Sequence, residues 1–434
     1  MRRWKYLKPL CIAAAFFLLL QFFVLIHLSS NQGDADTHSH NGKIVVELLQ
    51  KSWTDSPLFL IEPSILSAVS AGTNSKADCV YLCNNNKVIT FGIIGNQSKT
   101  LSLMVHKLRQ DGFSAVDSSD EHPDSLNTKE NRIPVKITTH IFVQHMKYPE
   151  PTIHIVVFYN RKPGFLWHSQ IQIATSDIAF GSTAGAYEQF NLHRKTIDNV
   201  QLHVPSPITK FLQQVPHSEF IECNYARAEA FYMKNPRDKS EKAIHFQRKA
   251  RQLISTAQKV LDGLDIRFWI SSGTTLGWFR QCDIIPYSQD VDLGIWIKDY
   301  KPEMVQGFEK AGLPLRFLFG KVEDSYQMAF LSGEVKLDIF FFYEDDASMW
   351  NAATVTETGE KLRYIFPRFK LCWTTLLDLK VRVPCPTQPY IEANYGNQWQ
   401  TQIKTWDWKS SAPNVRHNGY WPKDQWEMVI QMYE

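Results

Sequence analysis

The chain has 434 residues, of which 44% are hydrophobic and 21% are charged. These values are typical of a globular protein, and the length is enough for two domains with separate cores. The formal net charge of +3 at pH 7 gives no bulk electrostatic attraction to nucleic acid. Composition therefore gives no reason to expect a nucleic-acid-binding protein. The 13 tryptophans indicate a well-filled core before they indicate a sugar-binding or nucleotide-binding surface.

The N-terminus has a basic start followed by an apolar run. Arg2, Arg3, Lys5 and Lys8 precede the run, which covers residues 10–28. As a helix the run would span roughly 28 Å, just enough for a bilayer. A cleaved signal peptide is the alternative, but the run is long for one and no Ala-x-Ala-like cleavage site follows it. We therefore expect a signal anchor.

This pattern predicts the topology of a single-pass type II membrane protein. Basic residues ahead of the span favour a cytoplasmic tail over 1–9, a transmembrane helix over 10–28 and a stem over 29–41, with the rest lumenal. A short span suits the thinner membranes of the early secretory pathway. Asn96 opens an Asn-Gln-Ser sequon, so we predict it as a glycosylation site.

The cysteines fit an oxidising compartment. One of the seven, Cys11, lies in the apolar run, and the other six would be lumenal. An even number permits disulfides, with Cys79–Cys83 and Cys372–Cys385 as local candidates. The full connectivity cannot be deduced from spacing. No Cys-x-x-Cys repeat supports zinc as the alternative.

A first lumenal α/β domain is predicted over residues 42–205. It contains neither paired carboxylates nor a glycine-rich phosphate loop, so we expect support, acceptor docking or self-association from it. Periodicity predicts helices and strands, with an exposed acidic loop between them. The helices are expected at 43–51 and 101–110, the loop at 114–132, and the strands at 88–94, 133–143, 153–159 and 166–173.

The second domain is predicted over residues 206–434. An apolar stripe at helical spacing predicts a helix that Ser240 caps and that runs to about Leu261. Residues 344–361 are polar enough to predict a loop beside the site. The remaining elements follow in chain order. We expect a helix at 302–311, strands at 317–319, 326–331 and 335–343, and helical or mixed structure at 373–379 and 390–395.

Two aspartates in this domain alternate along a predicted strand. Asp290 and Asp292 flank Val291, and side chains two residues apart on a strand point to one face. Two adjacent carboxylates need a counter-ion, and Mg²⁺ or Mn²⁺ takes carboxylate oxygens while leaving positions open for substrate phosphates. Asp338 interrupts a second apolar strand pattern, so a neighbouring strand would bring it beside the pair. Each of the three is a predicted metal ligand and catalytic residue.

Upstream of the aspartates, a strand pattern ends at a Ser-Ser-Gly-Thr turn. A helix that begins there would present free backbone amides at Gly273 and Thr274, where an anion binds well. Arg280, about two turns further on, can make a paired contact to a phosphate. Lys336 lies on the same face as Asp338 and is a further predicted phosphate contact. These four residues are the predicted substrate-binding set.

Each of these features also has an ordinary structural interpretation. Asp-x-Asp is common in surface loops, a Ser-Ser-Gly-Thr turn is usually a plain loop, and a lone arginine such as Arg280 is usually a surface charge. The combination is more specific than its parts. A glycine turn after a strand, an Asp-x-Asp strand and a third aspartate on another strand together favour a metal-dependent phosphotransfer site.

The arrangement resembles the nucleotidyltransferase superfamily and, more narrowly, the LicD family of phosphotransferases. The LicD-like segments are Leu276-Gly277-Trp278-Phe279-Arg280, Ile284-Ile285-Pro286-Tyr287 and Asp290-Val291-Asp292-Leu293-Gly294. The likeness is dense from about residue 215 to the C-terminus. It implies a mixed-sheet catalytic fold of the nucleotidyltransferase type in the second domain.

Further segments resemble the animal branch of this family. They include Phe319-Gly320-Lys321-Val322-Glu323-Asp324-Ser325, Tyr390-Ile391-Glu392-Ala393-Asn394-Tyr395-Gly396 and Lys404-Thr405-Trp406-Asp407-Trp408-Lys409. The resemblance implies a Golgi ribitol-phosphate transferase that uses CDP-ribitol. It also implies an acceptor on the O-mannosyl glycan of α-dystroglycan, and partners among the other Golgi enzymes that modify it.

Two other classes of function stay open at the level of sequence. One is a sugar-nucleotide glycosyltransferase, since many anchored Golgi enzymes carry Asp-x-Asp, although the glycine turn and the third aspartate weigh against it. The other is a non-catalytic scaffold of a glycosylation complex. Donor profiling separates the first class from a phosphotransferase, and a single carboxylate substitution separates the second.

Overall fold

The computed structural model describes residues 41–54, 56–72, 79–84, 86–95, 98–123, 135–171, 178 and 180–433. The predicted tail, the membrane span over 10–28, nearly all of the stem and the sequon residue Asn96 lie outside the described residues. Within them, no helix is long and apolar enough to cross a membrane. The architecture is mixed α/β, as expected.

The described residues divide into two compact units at Pro216–His217, with residues 122–123 and 161–165 counted in the second. The predicted domain boundary lay after residue 205. The helix Ile208–Gln214 packs on the strand Val200–Ser206 and on the helix Pro63–Ala71, so it belongs to the first unit.

The first unit is built on a mixed sheet. The strand Val88–Ile94 lies near its centre and pairs in parallel with Thr152–Arg161. Its side chains are almost all buried, as expected for a central strand covered on both faces. The helices cover 41–52, Pro63–Ala71, Ser98–Gln110 and Ile208–Gln214. The strand order is Phe113–Glu121, Lys136–His145, Thr152–Arg161, Val88–Ile94, Phe59–Leu60, Val200–Ser206 and Asn191–Ile197, with Phe165–His168 and Gly185–Glu188 off this path.

The loop predicted over 114–132 is wrong in its first part. Phe113–Glu121 is a strand that pairs antiparallel with Lys136–His145. Phe113 and Ala115 face the core while the other side chains are mostly exposed. An edge strand with one solvated face can be mostly polar, and its composition therefore hid it.

The second unit contains a larger mixed sheet. The long helix Glu241–Gly263 begins where Ser240 Oγ accepts the N–H of Ala243 at 3.2 Å, as the sequence predicted, and it buries its apolar stripe. The other helices are Tyr225–Lys234, Ser272–Gln281, Glu303–Lys310, Thr387–Tyr395 and Trp426–Val429. The main strand order is Val415–Tyr420, Glu360–Pro367, Ser348–Val355, Val335–Glu344, Asp324–Ser332, Leu315–Lys321 and Ile430–Met432.

Two short strands bring the predicted site residues to this sheet. The strand Asp290–Trp296 pairs in parallel with Val335–Glu344 and antiparallel with Phe268–Ile270. We call these the Asp-pair strand, the Asp338 strand and the entry strand. The entry strand leads directly into the helix Ser272–Gln281, which we call the site helix. The entry strand, the site helix and the Asp-pair strand follow one another along the chain. The site lies where they meet the Asp338 strand.

Gly294 on the Asp-pair strand permits close packing. It pairs with Trp269 on the entry strand, and a Cβ on Gly294 would lie 2.3 Å from the indole ring. Gly294→Ala is therefore expected to destabilise the chain by about 1–3 kcal/mol, because the buried Trp269 ring must shift. Gly263→Ala is the matched control, since a Cβ there meets nothing within 4 Å. Denaturant unfolding of both variants checks this, and equal stabilities would contradict it.

Two expectations for the second unit are wrong. The loop predicted over 344–361 contains the strand Ser348–Val355, whose side chains from Met349 to Val355 are buried. Residues 373–379 lie in an antiparallel hairpin formed by Lys370–Leu376 and Leu379–Cys385. Polar residues on either side of Ser348–Val355 concealed that strand. The short turn of the hairpin concealed its two strands.

Three disulfides link the six cysteines that were expected to be lumenal. Cys79–Cys83 and Cys372–Cys385 are the two local candidates, and both are confirmed. Cys223–Cys282 is the third and joins residues 59 positions apart. Cys282 directly follows the site helix, so this bond ties the end of that helix to the segment ahead of Tyr225–Lys234.

Candidate active site

Three carboxylates from two adjacent strands converge. Asp292 lies directly opposite Asp338 in the parallel register, and Asp290 lies opposite Lys336. One oxygen from each of Asp290, Asp292 and Asp338 lies within 4.8 Å of the others. Asp292 and Asp338 are only 6% and 4% exposed. The structure thus brings together the three residues that the sequence singled out.

The site helix holds Asp292 in place. The backbone N–H of Gly273 donates to Asp292 Oδ2 at 2.9 Å and that of Thr274 donates to the same oxygen at 3.4 Å. In return, Asp292 N–H donates to Thr274 Oγ1 at 2.9 Å. A Cβ on Gly273 would lie 3.3 Å from Oδ2, so glycine permits the close approach.

This contact shows which group those amides bind in the structure. Gly273 and Thr274 were expected to grip a diphosphate directly, but in the structure they donate to Asp292. The carboxylate is the nearest anion to the positive end of the helix, and it takes the amides for that reason. Their effect on a substrate would therefore pass through the orientation of Asp292.

The other two aspartates have partners of their own. Lys336 Nζ lies 2.9 Å from Asp338 Oδ2, while Asp338 Oδ1 is buried and has no hydrogen-bond partner among the described residues. Ser288 Oγ donates to Asp290 Oδ1 at 2.5 Å. Lys336 was predicted as a phosphate contact, and it lies beside the carboxylates with its side chain 36% exposed.

Burial and the neighbouring carboxylates make Asp292 and Asp338 reluctant to ionise. Burial, together with Asp290 and Asp338, raises the pKa of Asp292 well above its usual range. Burial raises the pKa of Asp338 to about 6, against the opposing effect of Lys336. For Lys336, burial lowers the pKa, but the neighbouring carboxylates outweigh it and the net pKa is raised. A divalent cation would relieve this strain.

The raised pKa of Asp338 makes a prediction about pH. In the unfolded chain an aspartate loses its proton near pH 4, whereas folded Asp338 keeps it until about pH 6. Between these values the folded state binds more protons, so stability falls as pH rises. Above pH 6 the free energy of unfolding is lower by roughly 3 kcal/mol than it is below pH 4. Urea unfolding of chelator-treated protein at pH 4 and pH 7 checks this.

The matched variant for that experiment is Asp338→Asn. It removes the titrating carboxyl, so its stability relative to the wild type is expected to improve between pH 4 and pH 7. Asp346→Asn, at an exposed position, controls for general charge effects. A wild type and an Asp338→Asn variant whose stabilities change in parallel with pH would contradict the prediction.

Arg280 lies in the interior, unlike a surface charge. Its side chain is 2% exposed, and the guanidinium packs over the Phe231 ring with 4.6 Å to the centroid. It also donates to Gln281 Oε1 at 3.0 Å. Burial lowers the pKa of Arg280, against the effect of Tyr287. Arg280 borders the cavity described next, where its phosphate contact stays a prediction.

A cavity of about 750 Å³ opens on the carboxylates. This volume lies in the upper part of the range of small-ligand clefts, about 300–1,000 Å³. One group of lining residues includes Phe317 and Phe319, whose rings stack at 4.3 Å beside Lys336. Another includes Tyr395 and Trp406, whose rings lie 4.9 Å apart. The cavity can thus accept a ligand larger than a diphosphate.

Several residues of the site were not predicted from the sequence. Tyr390, in the helix Thr387–Tyr395, shares a 2.8 Å hydrogen bond with Ser271 Oγ at the start of the site helix. Tyr395 is half-buried, and its pKa is raised by burial and by Asp292. Asn351 and Gln327 are buried amides that line the cavity. In the sequence, only their family-like motif pointed to the two tyrosines. No sequence pattern pointed to Asn351 or Gln327.

The carboxylates meet the chemical requirements of a Mg²⁺ or Mn²⁺ site. Oxygen ligands suit these hard cations, and three lie close enough to share one ion. Asp338 Oδ1 is buried with no partner among the described residues, which leaves a lone pair for a ligand. The residues therefore fit the ion that the sequence predicted.

Comparison with known proteins places the whole chain. A family model described as Fukutin N-terminal matches residues 7–251, and one described as the LicD/FKTN/FKRP nucleotidyltransferase domain matches residues 265–386. The mouse protein named ribitol-5-phosphate transferase FKTN is 39% identical over 465 aligned positions, which cover 98% of this chain and 98% of that protein. The chain belongs to the fukutin family.

Other fukutin relatives agree. The human ribitol-5-phosphate transferase FKTN is 38% identical over 463 positions, again with 98% of each chain covered. The mouse protein named ribitol 5-phosphate transferase FKRP matches only 40 residues, at 48% identity, or 9% of this chain and 8% of that protein. The LicD match over 265–386 includes all three aspartates and the site helix. The cavity residues after 386 lie beyond that domain model.

Proposed function

We propose that this fukutin-family chain is a ribitol-5-phosphate transferase. It moves ribitol phosphate from CDP-ribitol to a hydroxyl of an O-mannosyl glycan of the α-dystroglycan type. The observation that carries the proposal is the similarity to two proteins named for this activity. They are 39% and 38% identical to the chain, and each alignment covers 98% of both proteins. The converging aspartates support it, because phosphoryl transfer relies mainly on charge neutralisation and positioning.

We propose that Asp290, Asp292 and Asp338 hold Mg²⁺ or Mn²⁺. When bound, such an ion neutralises the charge on the donor diphosphate and on the departing nucleotide. The site-helix amides orient Asp292, and Ser288 orients Asp290. These contacts restrict both carboxylates to one arrangement, so the cluster is pre-organised for a cation.

The transfer step can be assigned to the chain's own residues. The acceptor oxygen bonds to the phosphorus that carries ribitol, the bond from that phosphorus to the bridging oxygen breaks, and CMP leaves. The acceptor proton passes to a carboxylate. Asp338 suits this role because its pKa is raised to about 6 and Oδ1 is unpaired among the described residues. The same oxygen can alternatively ligate the ion.

Cationic side chains would hold the donor. Lys336 borders the cavity beside Asp338, and Arg280 borders it from the site helix. Lys336 can exchange its contact with Asp338 for one with a phosphate when a cation occupies the cluster. Arg280 offers a planar fork for two phosphate oxygens.

The family and the N-terminal pattern support a proposal for the compartment and the partners. We propose that the chain is a single-pass type II protein of the Golgi membrane with a lumenal catalytic domain. We also propose a complex with fukutin-related protein and other Golgi glycosylation enzymes. The role of the first unit would then be support, acceptor docking or self-association.

Donor profiling tests the reaction class. The purified chain is incubated with a glycan acceptor, Mn²⁺, and either CDP-ribitol or a panel of UDP-sugars, and released nucleotide is measured. We expect CMP release from CDP-ribitol that depends on the acceptor. We expect no acceptor-dependent release of nucleotide from UDP-sugars. Turnover of UDP-sugars without turnover of CDP-ribitol would instead establish a glycosyltransferase.

A further inference from the structure

Part of the large cavity carries features that the transfer chemistry does not use. Asn351 lines the cavity and is 3% exposed, yet its Oδ1 has no hydrogen-bond partner among the described residues. An unpaired buried amide oxygen is unfavourable unless a bound ligand supplies the donor. The feature therefore suits an O–H or N–H group of a bound ligand at this place.

Asn351 has aromatic neighbours that continue to the surface. It lies directly opposite Tyr364 in the antiparallel register, so the two side chains share a face. Tyr364 donates its hydroxyl to the backbone oxygen of Trp408 at 2.8 Å. Trp408 also lines the cavity and is 40% exposed. These contacts form a continuous path from a buried amide to a solvent-facing indole.

A folded turn presents the two tryptophans of this path. Asp407 accepts the N–H of Lys409 at 3.1 Å and the hydroxyl of Ser410 at 2.5 Å, which closes the turn. The Trp406 ring lies 4.9 Å from the Tyr395 ring, and Trp408 lines the same cavity. Tyr395 lies near the carboxylates, since Asp292 and Asp290 help to raise its pKa. The path is thus continuous with the reaction centre.

We propose that Asn351, Tyr364, Trp406 and Trp408 form the subsite for the terminal sugar of the acceptor glycan. The assignment rests on the proposed transferase function and deepens it. Tryptophan rings present flat apolar faces that suit the C–H faces of a sugar ring. Asn351 supplies a hydrogen bond to a hydroxyl or acetamido group. The rim adds Lys409 and Glu357, both exposed and able to bond further hydroxyls.

The openness of this subsite favours the acceptor over the donor. A glycan carried on a protein must extend into solvent from the reaction centre, and Trp408 stands where the cavity meets solvent. The donor instead needs cations next to the carboxylates. The Lys336 end of the cavity, with Phe317 and Phe319, meets that need and would be left to the nucleotide.

The test separates acceptor binding from donor binding. The variants Trp408→Ala and Asn351→Ala are compared with the wild type and with Tyr420→Ala. Tyr420 is an exposed aromatic, 60% exposed, that does not line the cavity. We measure the KM for an N-acetylgalactosamine-terminated O-mannosyl glycopeptide and the KM for CDP-ribitol. The two subsite variants are expected to raise the glycopeptide KM by roughly tenfold and leave the CDP-ribitol KM unchanged.

Binding without turnover gives a second readout. Saturation-transfer NMR of the same glycopeptide, without donor, should show transfer from the protein to the C–H protons of the terminal sugar. This signal should weaken in Trp408→Ala and persist in Tyr420→Ala. Trp408 is at the surface, so its variant is expected to fold even if Asn351→Ala does not.

The outcomes distinguish the two levels of the proposal. An unchanged glycopeptide KM and signal in Trp408→Ala would overturn the subsite. A raised CDP-ribitol KM with an unchanged glycopeptide KM would overturn it too and would assign these residues to the nucleotide. A wild type that binds the glycopeptide through Trp408 but transfers no ribitol phosphate would support the subsite and contradict the proposed reaction.

Discussion

Asp292→Asn is expected to lower ribitol-phosphate transfer by on the order of 10³-fold, because a neutral amide neither holds a cation firmly nor offsets its charge. The fold should survive. Asp292 is buried beside two other carboxylates that raise its pKa, so removing its charge relieves repulsion. The metal-free variant should therefore be at least as stable as the wild type. Transfer rate and urea unfolding, measured on the same preparation, check both parts.

Asp346→Asn is the control for this substitution, since it makes the same chemical change at an exposed position. It should leave transfer and stability unchanged. Full activity of Asp292→Asn within an active complex would point to the scaffold alternative. Loss of activity accompanied by a large loss of stability would assign Asp292 a structural role and contradict the account.

Removal of the Cys223–Cys282 disulfide is expected to destabilise the second unit by about 4 kcal/mol. The bond closes a loop of 59 residues in separation, and cross-links across long loops constrain the unfolded chain most. The double variant Cys223→Ser/Cys282→Ser tests this by denaturant unfolding. Because Cys282 follows the site helix, loss of activity should precede global unfolding as denaturant rises.

The matched control is Cys79→Ser/Cys83→Ser, which opens a loop of only 4 residues in separation. The expected loss there is about half as large, and it falls in the first unit. Activity should then be lost only at the unfolding transition. Equal destabilisation by the two double variants would show that loop length does not govern their contributions.

The carboxylates could be predicted because their pattern is local. Asp290 and Asp292 alternate with buried residues, and Asp338 interrupts an apolar run. The polar face of each strand can therefore be recognised from the sequence of that strand alone. The register that sets Asp292 opposite Asp338 is a tertiary fact. The sequence could require a neighbouring strand for Asp338, but the parallel pairing itself is visible only in the structure.

The misread regions share a different cause. The turn between Lys370–Leu376 and Leu379–Cys385 is made by Leu377 and Asp378, with φ of 51° and 57°. A tight hairpin turn usually takes Asn-Gly at these positions, so the usual signal was missing. The contact between Gly273 and Asp292 could not be predicted because the two residues are 19 positions apart in sequence. The unpaired amide of Asn351 likewise depends on packing alone.

The most direct test of the account is the mass of the acceptor after incubation. The purified chain, CDP-ribitol and an N-acetylgalactosamine-terminated O-mannosyl glycopeptide are combined with either Mn²⁺ or a chelator, and the product is weighed by mass spectrometry. We predict a mass increase of one ribitol phosphate with Mn²⁺ and no increase with the chelator. Equal product in both reactions would contradict a cation held by Asp290, Asp292 and Asp338.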